Sequence, residues 1–217
     1  MPDGDSQLEP APSTNEGVLS SALRAPSSEF WNVPNVLTLS RLPLAVVLFV
    51  CISCEWWLAG LVVFGVAALT DWVDGWWARH FGQLSAFGRV FDPLTDKVLL
   101  GGAFIFLVPV KESGMAAWMA TVVICREMLI TGVRGYVESL GQKFGADWFG
   151  KLKTLLQCAA LVVILFVLGV RDQPWAREQS GLLTALQYGL LYAMLAATVG
   201  SGVQYCLRAA TLLRDVR

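Results

Sequence analysis

The chain has 217 residues, of which 55% are hydrophobic and only 15% are charged, and its mean hydropathy is +0.57. Soluble domains average about 45–50% apolar and about 25% charged residues. This composition excludes a disordered chain, a collagen-like chain and a disulfide scaffold, and it favours a small integral membrane protein. The formal net charge of -1 says little, because the placement of charges orients a membrane protein.

Residues 1–28 are polar and rich in Pro and Ser, and they lack the apolar core of a secretory signal peptide. We expect a disordered tail there, followed by a membrane domain over residues 29–217.

From Phe30 onward, apolar segments long enough to cross a bilayer alternate with short polar stretches. We predict an all-α integral membrane protein with six transmembrane helices. The predicted spans run over about Val36–Ser53, Trp56–Ala78, Pro93–Val110, Ala116–Glu138, Leu152–Val170 and Leu183–Leu213. Six spans place both termini on one side of the membrane.

The basic residues then divide unevenly between the two sides. All of the 16 Lys and Arg residues except Lys111, Arg171 and Arg177 fall on the side of the termini. Cytoplasmic segments of membrane proteins carry the excess of basic residues. The sequence therefore predicts that both termini are cytoplasmic.

Acidic residues collect at the cytoplasmic end of the second and third spans. Asp71 and Asp74 are one helical turn apart, as are Asp92 and Asp96. Ionisable residues are costly inside a membrane and mark functional sites there. Four carboxylates in one space need cations, and Mg²⁺ suits a substrate that brings phosphate oxygens. Two ions would suit displacement at phosphorus.

Basic residues converge on the same side. Arg126 and Arg134 are two turns apart on the fourth span, and Lys151 and Lys153 open the fifth. These cations indicate a site for a phosphate monoester, although Lys151 and Lys153 alone would also suit an ordinary positive-inside cluster. We expect Glu127 to pair with one of these cations.

The stretch DWVDGWWARHFGQLSAFGRVFDPLTD, Asp71–Asp96, matches the pattern D-x2-D-G-x2-A-R-x8-G-x3-D-x3-D at every fixed position. It resembles the signature of the CDP-alcohol phosphatidyltransferase family, and the resemblance extends from Asn32 to about Leu165. The resemblance implies two divalent ions, Mg²⁺ or Mn²⁺, held by Asp71, Asp74, Asp92 and Asp96, with Asp96 also acting as the general base.

The resemblance also implies a site for the CDP-lipid. Its expected residues are Asn35, Thr38, Gly75, Ala78, Arg79, Ser85 and Gly88. For Asn35 and Thr38, helix capping and packing are an equally good interpretation.

The segments WNVPNVLTLSR, REMLITGVRGYVE and GKLKT are similar to the bacterial glycerol-3-phosphate branch of that family. This similarity implies transfer of a phosphatidyl group from CDP-diacylglycerol to glycerol 3-phosphate, with release of CMP. Arg126, Arg134, Lys151 and Lys153 would bind the acceptor phosphate. It further implies a homodimer in a bacterial cytoplasmic membrane, with the site facing the cytoplasm and no nucleic-acid partner.

Other functions stay open at this point. Phosphatidylglycerol or an inositol phosphate could be the acceptor, because the Asp motif does not distinguish acceptors. A chain that binds the nucleotide lipid without catalysis is also compatible with the spacing. A cation or proton transporter is disfavoured, because no internal repeat is visible and the acids cluster at one end.

Overall fold

The computed structural model describes the backbone of residues 33–81, 86–139 and 148–215, and side chains over 40–70, 94–137 and 148–211. The described residues form seven α-helices, one 3₁₀ turn and no β-strand. The elements are α1 (Val33–Ser53), α2 (Trp57–Phe81), α3 (Ala86–Leu107), the 3₁₀ turn (Lys111–Ser113), α4 (Ala117–Ser139), α5 (Trp148–Val170), α6 (Pro174–Glu178) and α7 (Ser180–Asp215).

Each predicted span coincides with one long helix, which confirms the all-α prediction. The third helix differs most, because it begins at Ala86 rather than near Pro93 and ends at Leu107 rather than Val110. Hydropathy locates the apolar part of a helix, whereas the helix itself continues over the polar residues before it. At the other end, Pro109 disfavours helical backbone at the residue before it.

Within the described side-chain ranges, two helical segments are long and apolar enough to cross a bilayer, Trp148–Val170 and Ser180–Thr211. Ser40–Ser53 and Trp57–Thr70 form shorter apolar helical stretches. The number of spans and the side of the termini stay predictions.

The helices pack around a core of aliphatic and aromatic side chains. α1 lies against α2 and α3, while α5 lies against α2 and α7, and α4 against α3 and α7. Leu48 of α1, Phe104 of α3 and Leu161 of α5 are fully buried in this core. α1 approaches α3 closely at Gly102, where a Cβ atom would clash with the Phe49 ring, so a larger side chain there would require the ring to move.

Three chain connections meet at one end of the bundle, which we call the Arg171 end. The Arg171 guanidinium lies 3.9 Å from Glu55, 3.8 Å from Glu112 and 3.8 Å from Asp172. Glu55 follows α1, Glu112 lies in the 3₁₀ turn after α3, and Asp172 follows α5. The helices therefore run alternately up and down, and the Asp motif lies at the opposite end, which we call the Asp96 end.

Candidate active site

The Asp motif lies on two helices that both pack against α1. α2 carries Asp71 and Asp74, and α3 carries Asp92 and Asp96. The backbone keeps each pair one turn apart, as predicted. The side chains of Asp71, Asp74 and Asp92 lie outside the described residues. No group of three or more His, Cys, Asp or Glu able to hold a metal occurs among the described side chains, which include Asp96 but not its three predicted partners.

The predicted CDP-lipid residues lie on the same helices or between them. Asn35 and Thr38 lie in α1, where their spacing places them broadly on one helix face. Gly75, Ala78 and Arg79 lie in α2, and Gly88 lies in α3. Their side-chain surroundings, and Ser85 altogether, lie outside the described residues.

Asp96 is held by a buried arginine from α1. The Asp96 carboxylate accepts a hydrogen bond from Nη1 of Arg41 at 3.1 Å. The Arg41 side chain is 2% exposed, whereas that of Asp96 is 47% exposed. A fixed cation behind an accessible carboxylate orients the carboxylate without covering it. Carboxylate oxygens are also the donors that hard divalent ions prefer, so the chemistry of Asp96 fits the predicted metal site.

Arg41 was not among the predicted site residues. The sequence feature that could have identified Arg41 is a cation inside the first apolar helix, at the same three-residue spacing as Asn35 and Thr38. The spacing places Arg41 on the same helix face as Asn35 and Thr38 but does not indicate that it reaches Asp96.

A second group of charges, which we call the Glu127 cluster, consists of Arg126, Glu127 and Lys153. Oε1 of Glu127 accepts a hydrogen bond from Nη1 of Arg126 at 3.1 Å and another from Nζ of Lys153. Both basic side chains are at least nine-tenths buried. The predicted pairing of Glu127 with a cation is confirmed.

Helix α7 completes the surroundings of Arg126. Nη2 of Arg126 donates to Oγ of Ser201 at 3.0 Å, and the guanidinium carbon lies 5.6 Å from the centre of the Tyr205 ring. Three contacts fix the guanidinium plane, and a fixed planar guanidinium can bind phosphate oxygens in bidentate fashion.

Lys97 connects Asp96 with the Glu127 cluster. Its Nζ donates to Oγ1 of Thr131, and that hydroxyl donates to the backbone carbonyl of Glu127 at 2.7 Å. Lys97 interacts electrostatically with both Glu127 and Asp96, so the acidic and basic halves of the site adjoin. Neither Lys97 nor Thr131 was predicted to lie in the site.

The four predicted acceptor cations separate into two pairs. Arg126 and Lys153 share Glu127, whereas Arg134 and Lys151 are exposed on the chain surface. The structure therefore brings two of the four together in the interior.

The model of the CDP-alcohol phosphatidyltransferase family matches residues 31–204. The chain belongs to this family. Members of the CDP-alcohol phosphatidyltransferase family generally use divalent metal ions, which agrees with the oxygen donors of the Asp motif. The match continues into α7, beyond the resemblance near Leu165 that the sequence had indicated. α7 is apolar without a fixed motif, but it supplies Ser201 to the site.

Three relatives in this family are bacterial enzymes named CDP-diacylglycerol–glycerol-3-phosphate 3-phosphatidyltransferase. The Bacillus subtilis protein is 35% identical over 150 residues, which cover 62% of this chain and 77% of the relative. The Salmonella choleraesuis protein is 32% identical over 180 residues, covering 81% and 93%. The Escherichia coli K12 protein is 32% identical over 191 residues, covering 85% and 98%.

Proposed function

We propose that this protein transfers the phosphatidyl group of CDP-diacylglycerol to glycerol 3-phosphate, giving phosphatidylglycerophosphate and CMP. The observation that carries the acceptor assignment is the Glu127 cluster beside Asp96. Two buried cations converge there, next to an accessible carboxylate, in a chain whose relatives are named for this reaction. Such cations suit a phosphate monoester, and glycerol 3-phosphate supplies one together with a free hydroxyl.

In the proposed reaction, Asp96 accepts the proton of the acceptor hydroxyl as its oxygen attacks the β-phosphorus of CDP-diacylglycerol. A new oxygen–phosphorus bond forms, the bond to the bridging oxygen of the pyrophosphate breaks, and CMP leaves. Arg41 holds the Asp96 carboxylate in place during this transfer. Asp71, Asp74, Asp92 and Asp96 would hold two divalent ions, Mg²⁺ or Mn²⁺, which when bound neutralise the pyrophosphate and the developing charge.

The nucleotide lipid would lie across α1, α2 and the start of α3. Arg79 and the small residues Gly75, Ala78 and Gly88 would accommodate the CDP group, with Asn35, Thr38 and Ser85 beside it. We propose that Arg126 and Lys153 bind the acceptor phosphate, and that the exposed Arg134 and Lys151 attract it from solution.

We further propose that the six long helices all span the bacterial cytoplasmic membrane, with both termini and the Asp96 end facing the cytoplasm. The alternating course of the helices supports this arrangement, and so does the small number of basic residues at the Arg171 end. Residues 1–28 would form a polar tail outside the membrane domain of residues 29–217, and the domain would pair as a homodimer.

The acceptor can be tested with the full-length protein purified in detergent. CMP release is measured with Mg²⁺ or Mn²⁺ and CDP-diacylglycerol, with glycerol 3-phosphate, phosphatidylglycerol, inositol phosphate, inositol or serine as the acceptor. We expect release with glycerol 3-phosphate and little with the other acceptors. Release with phosphatidylglycerol but not glycerol 3-phosphate would replace this proposal with a cardiolipin synthase activity.

A further inference from the structure

Beside the Glu127 cluster, three buried donor atoms lack a hydrogen-bond partner among the described residues. They are Nε of Arg126, Nε2 of Gln157 and Oγ1 of Thr198. Gln157 is 3% exposed and Thr198 is 0% exposed. Buried polar groups without partners are uncommon in folded proteins, and each calls for an explanation, of which a bound ion or ligand is one.

The antiparallel packing of α5 and α7 places Gln157 and Thr198 at similar heights. At one end of the pair, a Cβ atom at Gly150 would lie 3.1 Å from the Tyr205 hydroxyl. Gln157 lies seven residues after Gly150, and Thr198 lies seven residues before Tyr205. Because the helices are antiparallel, seven residues forward along α5 and seven residues backward along α7 cover the same distance in the same direction. Both residues therefore lie toward the middle of the bundle.

The same two residues adjoin the Glu127 cluster. Gln157 lies one turn beyond Lys153 on α5, and Thr198 lies one turn before Ser201 on α7. Lys153 and Ser201 are themselves joined through Glu127 and Arg126. Gln157 and Thr198 therefore form the next polar layer below the cluster.

The hydroxyl of Thr198 differs from the hydroxyls of four other helical threonines among the described residues. Helical threonines often donate to the carbonyl one turn earlier. The hydroxyls of Thr70, Thr121, Thr131 and Thr154 do so, at 2.7–3.2 Å. The Thr198 hydroxyl makes no such bond to a described residue and is buried, so its proton has no partner within the described part of the chain.

We propose that Gln157 and Thr198 form the floor of the acceptor site and donate hydrogen bonds to a phosphate oxygen held by Arg126 and Lys153. This inference rests on the proposed function and adds two specificity-determining residues to it. All three unpartnered atoms can donate, and they adjoin two cations. A ligand rich in acceptor oxygens and negative charge matches that set better than a neutral polyol does.

The charge balance selects a phosphate monoester over a diester. Arg126, Lys153 and Lys97 carry three positive charges and Glu127 carries one negative charge, while the neighbouring charges of Arg41 and Asp96 cancel each other. A monoester near neutral pH carries about −1.5 to −2, which neutralises the remainder. A diester carries a single negative charge and would leave the buried site positive.

The test uses Thr198→Val and Gln157→Met, which keep side-chain volume and remove the donors. We expect each to raise the KM for glycerol 3-phosphate roughly 10-fold, with little change in kcat, because a hydrogen bond to a charged ligand is lost. Each variant should also be less protected by inorganic phosphate against thermal unfolding in detergent. Thr198→Ser retains the hydroxyl and should keep both values near those of the wild type.

Two variants serve as matched controls. Thr121→Val removes an exposed hydroxyl that donates to the carbonyl of Ala117, and Gln187→Met removes a buried amide that donates to the carbonyls of Glu112 and Ser113 at 2.8 Å. Both should leave the KM unchanged, although Gln187→Met should lower the unfolding temperature because its partners lose their bonds.

Unchanged KM and unchanged phosphate protection in Thr198→Val and Gln157→Met would overturn the inference, because these donors would then make no bond to the acceptor phosphate. Failure of either variant to fold would also count against it, because an unpartnered donor should be dispensable for folding. If the wild type rejects glycerol 3-phosphate, the proposed function fails, but phosphate protection still decides whether Gln157 and Thr198 bind a phosphate oxygen.

Discussion

The two ends of the helical bundle differ in whether their buried polar groups have hydrogen-bond partners. At the Arg171 end, buried Gln187 donates to two backbone carbonyls, and buried Ser113 bonds to the carbonyls of Leu107 and Val110. On the side of the Asp96 end, in the layer below the Glu127 cluster, Gln157 and Thr198 are equally buried and have no partner among the described residues. Buried polar groups that all have hydrogen-bond partners stabilise a fold. Buried donors without partners beside buried cations fit the acceptor site proposed above, where a phosphate would supply the missing acceptors.

The ion pairs at the two ends also differ, in their length and their exposure to solvent. Around Arg171, four ion pairs are 3.6–3.9 Å long and their side chains are 39–81% exposed. Around Glu127, two cations share one oxygen, and all three side chains are at most 17% exposed. Exposed pairs are screened by solvent, whereas buried pairs lose much free energy when one partner is removed. The same substitution should therefore affect activity or stability much more at the Asp96 end than at the Arg171 end.

The largest difference is expected for aspartate-to-asparagine substitutions. Asp96→Asn should lower kcat by at least about 10³-fold, because the amide can neither accept the hydroxyl proton nor hold a metal ion well. Binding of CDP-diacylglycerol should be largely retained. CMP release and lipid binding, measured on the same preparation, separate the two effects.

Asp172→Asn is the matched control at the Arg171 end, where the carboxylate is 81% exposed. Its kcat should equal that of the wild type. Near-normal turnover in Asp96→Asn would remove this residue from the reaction and leave the Asp96 end without its proposed base.

The next largest difference is expected for glutamate-to-glutamine substitutions. Glu127→Gln leaves Lys153 buried without its anion and should lower the free energy of unfolding by about 3 kcal/mol. Added phosphate or glycerol 3-phosphate supplies the missing negative charge, so it should stabilise Glu127→Gln more than the wild type. Thermal unfolding at increasing ligand concentration measures both effects.

Glu112→Gln changes an exposed carboxylate 3.8 Å from Arg171 and should show neither effect. If phosphate stabilised Glu127→Gln no more than the wild type, then the ligand would not contact the cations that Glu127 neutralises.

Several features of the Asp96 end were predictable from the sequence, for reasons that differ from one feature to the next. The Asp motif is identified by short-range spacing, and the helices that carry it are identified by long apolar runs. Neither signal depends on how the helices pack. Pairing of Glu127 was also predictable, because a carboxylate beside Arg126 in an apolar helix needs a partner.

The remaining parts depend on helix rotation and register, which spacing does not specify. Arg41 reaches Asp96 across 55 positions of sequence, and Ser201 reaches Arg126 across 75. The sequence separates Lys151 and Lys153 from the two arginines as a pair that would also suit a positive-inside cluster, yet the structure turns Arg126 and Lys153 to the interior. Gln157 and Thr198 gave no signal, because a single polar residue in an apolar helix is also found at ordinary helix contacts.

The smallest effect is expected for Arg171→Gln, which removes the centre of the exposed network. Each of its pairs is long and screened, so the change in the free energy of unfolding should stay below about 1 kcal/mol. The KM for glycerol 3-phosphate should not change, because Arg171 lies at the opposite end from the Glu127 cluster. Raising the ionic strength should reduce the small stability difference further, because salt screens exposed charges. A larger loss of stability that salt does not reduce would show that the Arg171 end depends on its charges as strongly as the Asp96 end.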